Sequence, residues 1–167
     1  MKIILMMAIT LDGIIGKHKS HFADWTSRED KQLFMDISKE VGVVLMGKNT
    51  FDTFSKPLPD RLNVVFTEED KAGMEGVMWV KGDIKEVIKR LEEKYDTAIL
   101  GGGSYLNSLF LKEKLINEMM ITIEPKLFGS GLTLFTDEYD IDLELIDIKK
   151  LNNNTINLHY KVKYDTI

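Results

Sequence analysis

The segment Ala98-Ile99-Leu100-Gly101-Gly102-Gly103-Ser104-Tyr105-Leu106 decides how the chain is interpreted. A short apolar run predicts a buried strand, three glycines follow it, and the apolar spacing after them predicts a helix over 104–115. Glycines let an anion approach the main chain, and the first N–H groups of the helix face it with the helix dipole behind them. The turn indicates an anion site, although glycine-rich turns also occur for steric reasons alone.

A second strand-to-helix turn has the same form. Val43-Val44-Leu45-Met46 leads into Gly47-Lys48-Asn49-Thr50. Either Thr50 caps a short helix and Lys48 is solvated, or Lys48 and the amides of Asn49 and Thr50 hold a second phosphate. The spacing does not match the P-loop pattern. Two such turns in one sheet favour a dinucleotide, because its phosphates need separate cradles.

Apolar runs and helical periodicities alternate along the rest of the chain. The predicted strands are 3–9, 43–46, 63–67, 77–80, 97–100 and 119–124, and the predicted helices are 27–41, 50–54, 84–95 and 104–115. Most of these strands are continuously apolar, which is typical of a sheet covered on both faces. Asp83 is the predicted N-cap of the third helix.

The C-terminal part has a different pattern. The runs 143–148 and 156–164 flank Asn152-Asn153-Asn154, and the second run alternates apolar and polar residues. This alternation predicts a half-exposed antiparallel hairpin. The predicted fold class is therefore α/β, a three-layer αβα sandwich with a mixed, mostly parallel sheet and an antiparallel C-terminal hairpin, in a single domain over 1–167.

Composition excludes several classes of function. The chain of 167 residues contains no cysteine, which excludes a disulfide scaffold, a thiol nucleophile and cysteine-containing zinc sites, and fits a cytoplasmic location. A formal net charge of −5 disfavours nucleic acid as a partner. The first apolar run is short and is followed by Asp12-Gly13, so we interpret it as a strand. No membrane span and no metal site are expected, since the histidines lack metal-ligand spacing.

One carboxylate lies on an apolar helix face. On the helix over 27–41, Asp30 falls within the arc occupied by Leu33, Phe34, Ile37 and Val41. Burial of an acid is costly and raises its pKa towards a range useful for proton donation. The alternative is that Asp30 simply suits the helix dipole in a first turn that resembles a capping box.

Two further side chains have open roles. Trp25, just before that helix, is either a packing aromatic or a ring over a bound heterocycle. Arg61 is either a charge on a surface turn or a clamp on an anionic substrate tail.

Two phosphate-type turns with one acid and no nucleophile suggest nicotinamide-dependent reduction. The chain resembles the dihydrofolate reductase superfamily in Met7-Ala8, Leu11-Asp12-Gly13-Ile14-Ile15-Gly16, Trp25 with Asp30 and Phe34, Met46 to Phe51, Pro57-Leu58-Pro59 with Arg61, and Gly101-Gly102-Gly103. Within it, 101–106 and 116–135 look most like the C-terminal reductase domain of the bifunctional deaminase-reductase of bacterial riboflavin biosynthesis. A deaminase of that kind is excluded, because its zinc site needs cysteine.

The resemblance implies roles for individual residues. Asp30 would be catalytic, and substrate would contact Trp25, Phe34, Arg61 and Thr122. A nicotinamide cofactor, NADPH or alternatively NADH, would contact Ala8, Ile15, Gly16, Gly47, Lys48, Asn49, Thr50, Thr67, Gly101, Gly102, Gly103, Ser104, Tyr105 and Leu106. Glu68 departs from the pattern, because an acid beside Thr67 opposes a 2′-phosphate.

The expected function is therefore NAD(P)H-dependent reduction of a small pyrimidine- or pteridine-type heterocycle, of the riboflavin-biosynthesis type. The alternatives are dihydrofolate reduction and a nucleotide-binding module without catalysis. A homodimer is implied by the resemblance alone.

Overall fold

A computed structural model describes residues 1–164, so the last three residues of the predicted domain, 165–167, lie outside the described residues. The strands are β1 (Lys2–Thr10), β2 (Ile14–Gly16), β3 (Val43–Gly47), β4 (Leu62–Phe66), β5 (Val77–Val80), β6 (Thr97–Leu100), β7 (Glu118–Glu124), β8 (Leu132–Thr133), β9 (Asp142–Lys150) and β10 (Ile156–Lys163). The α-helices are α1 (Arg28–Val41), α2 (Lys48–Phe51), α3 (Ile84–Leu91) and α4 (Ser104–Lys112).

The main sheet has eight strands in the order β5-β4-β3-β6-β1-β7-β10-β9. β1 lies at its centre and pairs in parallel with β6 on one side and β7 on the other. β10 pairs antiparallel with both β7 and β9. The predicted mixed, mostly parallel sheet with an antiparallel C-terminal hairpin is therefore confirmed.

Alternation along β1 divides the core between the two faces of the sheet. Ile3 and Leu5 pack in one cluster with α3 and α4, whereas Ile4 and Met6 pack in another with α1 and α2. Successive side chains of a strand point to opposite faces, so a continuously apolar strand needs helices on both sides. This arrangement confirms the predicted αβα layers.

Capping explains where the long helices begin. Ser27 caps α1 by accepting a hydrogen bond from Asp30 N, and α1 ends at Gly42 in the left-handed conformation. Asp83 caps α3 by accepting from Lys85 N, as predicted. The predicted helices over 84–95 and 104–115 end earlier, at Leu91 and Lys112, and the predicted helix over 50–54 begins earlier, at Lys48.

The outermost strand, β9, is exposed along its whole length. Leu143, Leu145 and Ile148 pair with Val162, Tyr160 and Leu158 of β10, so they share one face of the hairpin. The implied homodimer stays a prediction. Over the described residues, we find no helix of the length and apolar character that a bilayer crossing requires.

Candidate active site

A cavity of about 1130 Å³ opens at the carboxyl ends of the parallel strands. Its wall contains residues of β1, the last residues of β3, β4 and β5, Gly101 just after β6, and the first turns of α2 and α4. Ligands of open α/β sheets bind at this edge, because loops and helix N-termini converge there. The sheet thus places both glycine turns and the N-terminal part of α1 around one space.

Most of the predicted site residues line this cavity. They are Ala8, Ile15, Gly16, Trp25, Asp30, Phe34, Gly47, Lys48, Asn49, Thr50, Thr67, Gly101, Gly103, Ser104, Tyr105 and Leu106. The exceptions are Gly102, Arg61 and Thr122, which lie outside its lining.

The two glycine turns touch each other. Gly47 N donates to the carbonyl of Gly102 over 2.8 Å. A Cβ on Gly103 would lie 3.4 Å from Thr50 Oγ1, so the two turns approach to van der Waals contact. No side chain caps the first turn of either α2 or α4, in contrast to α1 and α3. The free N–H groups of α4 therefore face the cavity as donors for an anion.

Gly102 has a packing role in this turn. Its φ is +89°, and a Cβ there would lie 2.7 Å from the sulfur of Met7. The Ser104 hydroxyl donates to the carbonyl of Thr133, which ties the start of α4 to β8. Ser104 would thus contact an anion through its main chain, whereas Gly102, outside the cavity lining, shapes the turn.

Asp30 lies in the apolar part of the cavity wall. Burial raises the pKa of its carboxyl, and the charge of Glu124 acts in the same direction. The hydroxyls of Thr122 and Thr26 and the charge of Lys31 act in the opposite direction. Thr122 itself is buried and accepts from Asn157 Nδ2 over 3.0 Å. Asp30 is therefore an acid that holds its proton to higher pH than an exposed aspartate.

Trp25 brings an aromatic wall close to Asp30. Its ring meets Phe128 edge-on at a centroid distance of 5.1 Å. Its indole N–H is buried and has no partner among the described residues. Buried donors are usually satisfied, so an unpartnered one beside a cavity fits a ligand acceptor or a water molecule.

These residues fit a nicotinamide dinucleotide. Uncapped main-chain donors and Lys48 suit its phosphates, and the apolar wall suits a flat ring. No group of three or more His, Asp or Glu side chains within 1–164 has the geometry to hold a metal ion.

The family model for dihydrofolate reductase matches residues 2–160. The chain belongs to the dihydrofolate reductase family. The uncharacterized protein YwjB of Bacillus subtilis (strain 168) is 30% identical over 170 residues, which cover 95% of this chain and 97% of that protein. The resemblance inferred from the motifs is confirmed, and the chain is a reductase-type protein by family.

Solved structures show the same dihydrofolate reductase-like fold. A putative riboflavin biosynthesis protein from Shewanella sp. PV-4 is 28% identical, with a TM-score of 0.82 over 98% of this chain and 100% of that chain. The deaminase/5-amino-6-(5-phosphoribosylamino)uracil reductase of Thermotoga maritima is 17% identical, with a TM-score of 0.78 over 97% of this chain and 56% of that chain. Dihydrofolate reductase from Enterococcus faecalis complexed with NADP(H) is 19% identical, with a TM-score of 0.75 over 98% and 97%.

Arg61 departs from the substrate clamp that the dihydrofolate reductase motif implied. It is 7% exposed and lies outside the cavity lining. Its guanidinium donates to the carbonyl of Met35 over 3.2 Å, to that of Pro59 over 2.8 Å, and to the hydroxyl of Ser38. These hydrogen bonds fix the turn between α2 and β4 to the middle of α1. The guanidinium of Arg61 therefore has its partners within the protein.

We expect Arg61→Ala to lower the free energy of unfolding by roughly 2–3 kcal/mol, because it removes buried hydrogen bonds to a charged donor. Dinucleotide affinity should stay unchanged. Thermal unfolding and calorimetric titration measure both quantities. Arg28→Ala, at an exposed position of α1, is the matched control and should change stability by less than about 0.5 kcal/mol. Unaltered stability combined with lost heterocycle affinity would restore the clamp interpretation.

The cavity end near Thr67 carries both signs of charge. Lys48 forms an ion pair with Asp52, and this hydrogen bond raises the pKa of Lys48. Glu68 and Glu69 line the same end, and Glu69 pairs with Lys71. Lys48 therefore reaches the cavity with part of its charge already balanced.

Sequence analysis missed several residues of the cavity wall. They are His18, Lys19 and His21 from the loop after β2, Phe54 after α2, and Leu132 of β8. β2 and β8 were not predicted because they span three and two residues, too few for an alternation pattern. Two residues named in the sequence analysis do belong to this region. Trp25 lines the cavity, and Asp12 accepts from Gly129 N over 2.7 Å, which joins the loop before β2 to the loop before β8.

Proposed function

We propose that this protein is an NAD(P)H-dependent reductase of a pyrimidine- or pteridine-type substrate, of the 5-amino-6-(5-phosphoribosylamino)uracil reductase type. The observation that carries the proposal is the partly buried acid, Asp30, in the wall of a cavity that is also lined by uncapped main-chain donors. This arrangement suits a hydride donor and a proton donor beside the group that is reduced.

The division of chemistry follows from these groups. The dinucleotide supplies a hydride when it is bound. The first-turn N–H groups of α4 hold its phosphates, and Ala8 and Ile15 border the space for a flat ring. Asp30 binds a ring nitrogen and holds a proton for the group that the hydride reduces. Trp25 and Phe34 exclude water from this end, which strengthens the contact between the acid and the ring.

The anionic tail of the substrate favours the riboflavin-type compound over dihydrofolate. A folate tail ends in carboxylates, and the motif arginine that would meet them is buried in contacts to α1. The cavity is lined instead by Lys19 and by Lys31, which follows Asp30 in α1 and donates to the carbonyl of Thr26 over 2.7 Å, and ammonium groups suit a phosphate. Dihydrofolate reduction remains the second candidate, because Trp25, Asp30 and Phe34 lie together in one wall.

Turnover with each substrate tests the proposal. We expect loss of the absorbance of the reduced nicotinamide with the ribosylaminopyrimidine phosphate and not with dihydrofolate. Calorimetric titration with NADPH and NADH is run in parallel. NADPH is the proposed cofactor, with Lys48 as its 2′-phosphate partner, and Glu68 and Glu69 make NADH the necessary comparison.

The outcomes separate the candidates. Oxidation of the reduced nicotinamide with dihydrofolate and not with the ribosylaminopyrimidine phosphate would support the second candidate. Dinucleotide binding without oxidation by either substrate would support a non-catalytic module. If neither NADPH nor NADH binds, the function proposed for the cavity is refuted.

A further inference from the structure

A second carboxylate lies behind Asp30 and belongs to β7. Glu124 is the last residue of that strand, and its side chain is 2% exposed. Its oxygens accept from Ser27 N over 2.7 Å, from Ser27 Oγ over 2.8 Å and from Thr155 Oγ1 over 3.2 Å. Among residues 1–164 it forms no ion pair with a cation. Burial of a carboxylate without a counter-ion is costly, so an acid at this position suggests a function other than stability.

Ser27 connects this carboxylate to Asp30. The Ser27 hydroxyl donates to Glu124 and at the same time accepts from Asp30 N over 3.2 Å. Ser27 is the N-cap of α1, and Asp30 lies one turn further on. The N-terminal end of α1 is thereby anchored to β7 in the centre of the molecule. A shift of this anchor would move the Asp30 carboxyl within the cavity wall.

We propose that Glu124 is a positioning residue that fixes the N-cap of α1 through Ser27 and thereby sets the place of the Asp30 carboxyl in the cavity. This inference rests on the proposed function, because the proposed function makes Asp30 the proton donor. It requires no contact between Glu124 and substrate, and Glu124 is absent from the cavity lining.

The charge of Glu124 adds a second effect that a purely structural anchor would lack. It raises the pKa of Asp30 together with burial, whereas Lys31 on the same helix lowers it. His21 and Lys19 approach the same cavity from the loop after β2. Removal of the charge of Glu124 while its shape is kept should therefore lower the pKa of Asp30.

Two variants separate position from charge. Glu124→Gln keeps an oxygen that accepts from Ser27 but removes the charge, and it should move the alkaline limb of the kcat profile down by about half a pH unit or more. Ser27→Ala keeps the charge but removes the hydroxyl link, and it should lower kcat roughly 10-fold with little change in dinucleotide affinity. Thermal unfolding of each variant checks that it is folded.

Glu118→Gln is the matched control. Glu118 is the first residue of β7, at the opposite edge of the sheet, where it pairs with Lys2 and His159. The same substitution there should leave the pH profile and kcat within twofold of the wild type. Equal pH midpoints in Glu124→Gln and the wild type, or an unchanged kcat in Ser27→Ala, would overturn the proposal.

Carboxyl ¹³C shifts of Asp30 measure its titration without any turnover. A lower midpoint in Glu124→Gln supports the proposal even where neither heterocycle is reduced. Absence of turnover in the wild type together with that lower midpoint would count against the proposed function and not against the link between the two acids. An equal titration midpoint of Asp30 in Glu124→Gln and in the wild type would refute the link between Glu124 and Asp30.

Discussion

Replacement of Asp30 by asparagine should lower turnover by about 10²-fold or more, the scale expected for loss of a proton-transfer group. Asparagine keeps the shape of the side chain and its hydrogen bonds to the substrate, but it carries no acidic proton. Dinucleotide affinity should be unchanged, because the main-chain donors proposed to hold the dinucleotide belong to the glycine turns and not to Asp30. Steady-state kinetics and calorimetric titration give the two numbers separately.

The pH dependence of the same variant gives a second readout. Burial raises the pKa of Asp30 in the folded protein, so the folded state binds this proton more tightly than the unfolded chain does. Wild-type turnover should fall as pH rises through that raised pKa, and Asp30→Asn should lack this limb. The variant should also be more stable than the wild type above the raised pKa, where a buried charge no longer has to be held. A wild-type rate in the variant would remove Asp30 from the reaction.

Substitution of Gly131 should have the largest effect on stability. Its φ is +145°, and a Cβ there would collide with the carbonyl of Gly16 and lie 2.8 Å from Ile14 Cγ2. A main-chain carbonyl cannot move aside as a flexible side chain does. We expect Gly131→Ala to lower the free energy of unfolding by roughly 3 kcal/mol or more, from backbone strain and overpacking together. That corresponds to a fall in melting temperature of roughly 6–12 °C.

The same substitution should weaken dinucleotide binding, since β2 and Leu132 line the cavity and would be forced apart. Gly129→Ala is the control. Gly129 also has a positive φ, of +75°, but nothing lies within 4 Å of its added Cβ. It should cost only roughly 1 kcal/mol, from backbone strain. Equal melting temperatures for the two variants would show that the contact with Gly16 is unimportant.

The sheet was predictable because burial on both faces leaves a plain signal. β3 is apolar and so is β6 after Thr97, and each strand is followed by a glycine turn at the cavity. β2 and β8 were not predictable, because they pair through only a few residues that are distant in sequence. The ends of α3 and α4 were overestimated because apolar residues such as Tyr95 and Leu115 continue the helical spacing after the helix has ended.

The site was predictable where a single element carries the signal. Asp30 lies on the apolar face of α1, and this was visible from helical spacing alone. Arg61 was not predictable, because its partners Met35 and Ser38 come from another element and turn the side chain inwards. Glu124 is 97 residues from Ser27, and no local pattern announces a contact over that separation.

The central position of β1 has a consequence for synthesis in the cell. β1 leaves the ribosome before both of its neighbours, β6 and β7, which come from residues 97–100 and 118–124. The nascent chain must therefore carry an unpaired apolar strand until residues 97–124 have emerged. During that interval the exposed strand can aggregate with other chains. A chaperone, or early formation of α1 and its packing on β1, would protect the nascent protein.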